Sequence, residues 1–306
     1  MECYTKFSTY LKKKYGQKVY KISIDAGFTC PNRDGTVSTG GCIYCDEGGN
    51  RAPYCSENSS VSEQIEKGIE FLSRRYGVEK FIAYFQAFSN TYADPDKLNE
   101  VYGTVNEHEG VVGIAIGTRP DCVSEPVLDV IEGYTAQYEV WIELGIQSFN
   151  DKALRAINRG HGTDEIYDAI NRIKKRKGIN ICAHIILGLP GDTHEDYISA
   201  AKKISELGLE GVKLHHLHIV KGTVLEEKYK KGGTPLFEVD EYVSLVCDFL
   251  EHLDPCIIVQ RVMGDGPSGK LIAPLWTTEK APVLHKIDKE FERRNTYQGI
   301  KFSRKL

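Results

Sequence analysis

At 306 residues, 41% hydrophobic and 27% charged, the chain can bury a large core and has the make-up of an ordinary globular protein. A net charge of −4 argues against a globally basic nucleic-acid binder, and no run reaches the ~18 apolar residues of a membrane span. The opening stretch MECYTKFSTYLKKKYG is polar and basic with no apolar signal core, so the expected location is cytoplasmic.

In chain order, residues 3–15 read as a short amphipathic helix and KVYKISID (18–25) alternates as a strand. Asp25 to Asn50 follows as a loop rich in Gly, Thr, Ser, Asn and Asp. Residues 60–77 form a helix that Ser60 or Ser62 can cap; 80–88 is a strand, 94–107 a helix with an early proline, and 111–121 a strand with its exit loop. A helix at 124–137, a strand at 138–148, helices at 150–158 and 163–177, and a strand at 179–192 continue the alternation. Then come a helix (193–208), a strand (211–220), a helix (239–253), a strand-like run (256–265) and a segment with a C-terminal helix (274–294).

Strands alternating with helices mean parallel βα units. A full eight-unit barrel is cramped in this length, so the expected fold is α/β, an incomplete (β/α)6 barrel with short terminal extensions. The expected division is a basic N-terminal helix (1–17), a partial barrel (18–253) carrying the cysteine loop (26–50), and a C-terminal extension (254–306) with a terminal helix. In such folds ligands sit at the carboxyl ends of strands, where Cys30, QAFSNT, GTRPD, ELGIQS, HIILGLPG and KLHHLH all fall.

The chemistry centres on Cys30, Cys42 and Cys45, a C-x11-C-x2-C array on that loop. Nine cysteines in a cytoplasmic chain favour metal or thiol chemistry over disulfides. Two metal readings stand on these residues. Three thiolates can hold an iron–sulfur cube with one iron open to an outside ligand, or a zinc site can use Cys30, Cys42, Cys45 and Cys55. On the strand at 211–220, Lys213 and His215 share one face, and His216 and His218 the other. An inward Lys213–His215 pair beside His184 suits binding of an anionic group or proton transfer, with Glu143 and Arg119 as partners at the same rim. Positive charge gathers at residues 6–21 and 293–305, and both ends are expected to flank the barrel mouth as phosphate contacts.

The cysteine array, with GTRPD (117–121), ELGIQS (143–148), INRGH (157–161), GLPG (188–191) and QRVMGD (260–265), resembles the radical S-adenosylmethionine (SAM) superfamily. The usual spacing there is C-x3-C-x2-C; the longer gap is similar to the branch of the Elongator catalytic subunit. CPNRDGTVSTGGCIYC, YFQAFSNTYAD, VKLHHLHIVKGT and IDKEFERRNTYQG resemble a subfamily of YhcC and YtqA (MnmL) types, part of it linked to the tRNA wobble uridine.

The resemblance implies a 4Fe–4S cluster on Cys30, Cys42 and Cys45 and SAM as cofactor, cleaved to a 5′-deoxyadenosyl radical that abstracts a hydrogen atom. It places Tyr44 on the SAM adenine, Gln147 at the ribose, Arg159 at the carboxylate and Gly188 where backbone approaches the adenine. The usual Gly-Gly-Glu clamp for the SAM amino group is replaced by QAFSNT, so Gln86, Ser89, Asn90 or Thr91 takes that role. Arg119 and Glu143 join this cofactor-binding set. The implied substrate is tRNA, with conversion of 5-carboxymethylaminomethyluridine to 5-aminomethyluridine. Implied partners are an external electron donor such as flavodoxin or ferredoxin and a methyltransferase acting afterwards. The Elongator subunit's acyltransferase domain has no counterpart after QRVMGD, so building a carboxymethyl group from acetyl-CoA is not expected. The alternatives are a radical-SAM oxidoreductase for a small molecule and a noncatalytic zinc or iron–sulfur module.

Overall fold

The computed structural model describes residues 2–46, 59–267 and 269–303. Seven parallel strands form its sheet: β1 (Val19–Ile24), β2 (Lys80–Phe85), β3 (Val111–Thr118), β4 (Glu139–Gln147), β5 (Ile179–Leu187), β6 (Gly211–His216) and, after the two-residue β7 (Ile219–Val220), β8 (Ile258–Arg261). They pair in chain order apart from β7, which forms a small antiparallel pair with β9 (Leu271–Ala273). The sheet is strongly curled, because Lys21 on the first edge strand reaches both Glu143 on β4 and Gln260 on the last. Only a half-barrel brings those side chains together.

Several outer helices have a readable start. In α2 (Val61–Tyr76) Ser60 and Glu63 exchange hydrogen bonds, the Ser60 hydroxyl accepting from Glu63 N–H at 3.2 Å and the Glu63 carboxylate accepting from Ser60 N–H at 2.8 Å. Pro95 opens α3 (Pro95–Gly103), and Pro126 falls in the first turn of α4 (Glu125–Gly133). The pairs α5 (Asp151–Ala156) and α6 (Thr163–Ile173), α7 (His194–Glu206), α8 (Val224–Lys230), α9 (Val239–Glu251) and α10 (Lys280–Arg294) complete the layer. The main core between sheet and helices is built from fully buried Ile, Leu, Val and Phe.

Two expectations change. The run at 256–265 is not an appendage: Gly211 pairs with Ile258 and Val212 with Val259, so it supplies a seventh parallel strand from inside the expected extension. The basic ends do not flank the mouth. The α1 helix (Phe7–Tyr15) closes the opposite opening, where the strands begin. Phe7 and Leu11 pack on inward Ile82, Ala115, Trp141, Cys182 and Ile258, with Phe7 edge-on to Trp141 at 5.5 Å. Tyr15 Oη donates to Glu139 Oε2 (2.8 Å) and to Val112 O (3.3 Å), both at strand starts. The carboxyl-terminal charges end there too. Gln298 Nε2 donates to Ile257 O just before β8, Lys301 pairs with Glu251, and Arg294 is held by Asp248 and Ser244. Arg304 and Lys305 lie outside the described residues, as do Cys55 and the last four residues of the expected cysteine loop. Among the described residues no helix is long and apolar enough to cross a membrane.

Candidate active site

At the carboxyl ends of the strands the half-barrel encloses a cavity of about 280 Å³. Cys30, Cys42 and Cys45 all open onto it. Their loop is folded by its own backbone: Arg33 N–H donates to Cys30 O, Gly41 N–H to Asn32 O and Cys45 N–H to Cys42 O, at 2.8–2.9 Å. It is tied down from outside by Asn158, whose Nδ2 donates to Gly41 O (2.8 Å) and whose carbonyl accepts from Asn32 Nδ2 (2.6 Å). Ile43 is fixed on both sides, donating to Ile157 O and accepting from Leu225 N–H.

Arg159 is the dominant charge beside the cysteines. It is 6% exposed. Its Nη1 donates to Cys42 Sγ (3.5 Å), its Nη2 to Gly145 O (2.5 Å), and its Nε has no partner among the described residues. Asn32 Nδ2 also donates toward Cys42 Sγ, at 3.7 Å. A buried guanidinium and an amide aimed at one sulfur suit a thiolate or the anionic face of a cluster. Burial pushes the free Cys45 thiol up to about 11, so it needs a cation to ionise. No three His, Cys, Asp or Glu side chains among the described residues converge on a point able to hold a single metal ion. An iron–sulfur cube does not require that convergence, since each cysteine binds a different iron; the zinc alternative includes Cys55, which lies outside the described residues. The donor set fits a cluster.

Three non-glycine residues with left-handed backbone surround this centre: Phe88 (φ 61°), Gln147 (φ 68°) and Asn158 (φ 53°). Such strain gathers where surrounding structure fixes a functional side chain. A Cβ on Gly145 would lie 2.8 Å from Arg159 Nη2 and 2.9 Å from Gln147 Nε2, so that glycine gives both side chains their room.

Deeper in the cavity lies a second polar centre. Glu143 is 1% exposed. Its Oε1 accepts from Lys21, and its Oε2 accepts from Lys213 and from His184 Nε2 (2.9 Å). Burial works against the Glu143 charge, but the two ammonium groups and His184 overcome it and hold its pKa well below the carboxylate range. Burial drives the lysine the other way: Lys213 falls to about 7, its attraction to Glu143 opposed by the charge of Lys21. Burial likewise lowers His184 to about 4 and His215 well below its usual range, so both rings are neutral near pH 7.

Tyr44, Gln86, Arg119, Glu143, Gln147 and Arg159 border the cavity with the cysteines, and so do His184, Lys213 and His215. Arg119 lies 3% exposed and clamps Asp121 through Nε and Nη2 at 2.8 and 2.7 Å. Asn90, Thr91 and Gly188 do not border it. Asn90 Nδ2 donates to Ala87 O and Gly117 O, Thr91 Oγ1 donates to Cys122 O, and Gly188 N–H donates to Tyr197 Oη. Ser89 is buried against the Thr118 hydroxyl at 3.1 Å. Sequence reasoning missed Lys21, which it counts with the surface lysines, and also Tyr84 and Gln260. The signal was present: in KVYKISID the period of two puts Lys21 on one face of β1 and Ile22 and Ile24 on the other.

Comparison with known proteins places this geometry in a lineage. Residues 32–204 match the model of the radical SAM superfamily and residues 209–293 that of the radical SAM C-terminal domain. An uncharacterized protein of Methanocaldococcus jannaschii is 40% identical over 98% of this chain and 93% of its own. YtqA of Bacillus subtilis is 38% identical over the same shares of the two chains. A tRNA uridine(34) acetyltransferase of Dehalococcoides mccartyi is 28% identical over 54% of this chain and 36% of its own. Among solved structures, the archaeal Methanocaldococcus infernus Elp3 superposes with a TM-score of 0.67 at 17% identity, covering 92% of this chain and 64% of that one. On the extent of these matches, the chain belongs to the radical SAM superfamily, whose members work with a 4Fe–4S cluster and SAM.

Proposed function

We propose that this protein remodels the side chain at carbon 5 of the tRNA wobble uridine, converting 5-carboxymethylaminomethyluridine to 5-aminomethyluridine, with SAM as the oxidant at the carbon between nitrogen and carboxylate and water releasing the two-carbon group as glyoxylate. The observation that carries this reading is that the three-cysteine loop and a buried Lys–Glu–His centre open onto one cavity. The similarity to a tRNA uridine(34) acetyltransferase across half the chain supports the nucleoside class.

In this reading Cys30, Cys42 and Cys45 hold the cluster. Arg159 receives the SAM carboxylate, its Nε having no partner among the described residues. Gln147 meets the ribose, Tyr44 covers the adenine and Gln86 takes the amino group. Arg119 keeps Asp121 in place and lends charge to the same rim. Asn90, Thr91 and Gly188 support the wall. Lys213, His215 and His184 face the substrate, with Glu143 orienting two of them. When bound, cluster and SAM supply a 5′-deoxyadenosyl radical that takes a hydrogen atom from the substrate; the protein's residues bind, orient and exclude water. The reading includes a cytoplasmic setting, an external electron donor such as flavodoxin or ferredoxin, and a methyltransferase that acts on the product.

The test is nucleoside mass spectrometry of tRNA from cells with and without the protein. Deletion is expected to accumulate 5-carboxymethylaminomethyluridine and deplete nucleosides derived from 5-aminomethyluridine; unchanged wobble uridines refute the reading. A small-molecule substrate is the second reading, favoured by the net charge of −4. Gel shift with bulk tRNA at two salt concentrations separates them, because phosphate contacts give a steep salt dependence.

A further inference from the structure

The inner end of the cavity carries a charge that the described residues around it leave unmatched. Lys21 and Lys213 share a single carboxylate, Glu143, each bound to a different oxygen. The other titratable groups facing Lys213 do not offset the surplus. His184 and His215 are neutral, and burial keeps the Tyr84 phenol and the Cys182 thiol protonated. Arg261 adds positive charge, but it faces Asp265 at 3.3 Å. Two polar atoms nearby are also orphaned among the described residues, and of the two residues that carry them His215 borders the cavity. Gln260 spends its Oε1 on Lys21 (2.7 Å) and leaves its buried Nε2 without an acceptor, and His215 Nε2 is buried without a partner. Buried charge and buried donors are costly unless matched. One surplus ammonium, with the unpartnered His215 Nε2 on the same cavity wall, matches a monoanion better than a dianion.

We propose that the inner end of the cavity is a carboxylate subsite, in which Lys213 binds a carboxylate of the substrate and Lys21 acts as its positioning residue. Lys21 does so by holding the other oxygen of Glu143, which keeps the Lys213 charge from being consumed internally. This deepens the proposed function, resting on it only for the expectation that the substrate side chain ends in a carboxylate. The pH dependence has a definite sign. With Lys213 lowered to about 7, anion binding below that pH finds it already charged. Above it, binding must take up a proton, and affinity falls as pH rises.

The probe is N-methylglycine, compared with N-methylglycinamide, binding to the cluster-loaded enzyme with SAM, followed by saturation-transfer NMR at pH 6.5 and 8.5. The wild type is expected to prefer the carboxylate at least tenfold at pH 6.5 and several-fold less at pH 8.5. In Lys21→Met, Lys213 is left to neutralise Glu143 alone, so the preference should collapse at both pH values. Lys21→Arg should restore both the preference and its pH profile. Cluster absorbance and circular dichroism identify correctly folded variants. Equal binding of the two probes by wild type, no binding of either, or an unchanged preference in folded Lys21→Met overturns the subsite. The tRNA reading is judged separately by nucleoside analysis: probe discrimination without any change in wobble uridines leaves the subsite standing and removes the nucleoside.

Discussion

Gly145 carries no side chain because none fits. Its missing Cβ is the space into which Arg159 Nη2 and Gln147 Nε2 converge. Arg159→Ala should leave the cluster chromophore intact and weaken SAM binding by about 1.5–3 kcal/mol, one to two decades in affinity. Gly145→Ala should do the same by displacing both side chains at once. Equilibrium binding of SAM to the cluster-loaded variants checks both, and an unchanged dissociation constant in Arg159→Ala contradicts the assignment. Lys213 offers a measurement on the free protein. Its pKa lies near 7 in the folded state and near ~10.4 in the unfolded chain. Between these values the unfolded chain binds more protons, so the Lys213 contribution to stability rises with pH across about 7 to 10. The slope is at most about 1.4 kcal/mol per pH unit. Lys213→Met should flatten it in urea titrations at several pH values, while an identical slope would show that Lys213 keeps an ordinary proton affinity. The cysteines were legible as a spaced array on one loop and Lys213 as a lysine at a central strand position, whereas Arg159, in the turn after α5, came only from the family resemblance. Lys21 was not legible, because composition groups a lysine with its neighbours and only the curl of the sheet turns its side chain onto Glu143.

At the scale of elements, local signals were sufficient wherever they were local. The α2 start was legible to within two residues, with Ser60 or Ser62 as the cap; the structure uses Ser60, completed by Glu63. Ser60→Ala removes one half of its capping box and should cost about 1 kcal/mol in chemical denaturation, with SAM cleavage unaffected. A loss of cleavage in a folded variant would tie α2 to the active site in a way its position does not suggest. The α8 helix was missed, though Thr223 and Glu226 carry a start signal: the threonine hydroxyl accepts from Glu226 N–H at 3.2 Å. Its short run of seven residues gives hydrophobic periodicity little to act on. The cysteine loop is the opposite case. Its composition marked it as irregular, but the residues that shape it come from elsewhere in the chain. Asn158 reaches it from the turn after α5, and a Cβ on Gly160 would meet Asn32 Oδ1 at 2.3 Å. The INRGH stretch is therefore the outer half of the cysteine site, a relation that a pattern along the chain does not display.

At the scale of the whole molecule, the two ends of the half-barrel have different tasks. The carboxyl ends of the strands hold the cysteines and the cavity. The amino ends are sealed by α1, which packs an apolar face inward and leaves Lys12 and Lys13 exposed on the far side. Composition located a basic run but not its side of the sheet, since the direction in which α1 crosses is set by tertiary packing on Trp141. On the proposed tRNA reading, RNA approaching the cavity would meet the opposite end. Reversing Lys12 and Lys13 to Glu should therefore leave both tRNA affinity and the slope of its salt dependence unchanged within error. Lys14 must be left alone in this experiment. It pairs at 3.0 Å with Glu139, whose side chain is 1% exposed, and a glutamate there would set two carboxylates against each other and destabilise the seal. Gel shifts at two salt concentrations, with a melting curve as control, read the result. A flattened salt dependence in the folded double variant would mean that tRNA wraps around to the amino ends of the strands, and that this face belongs to the binding surface.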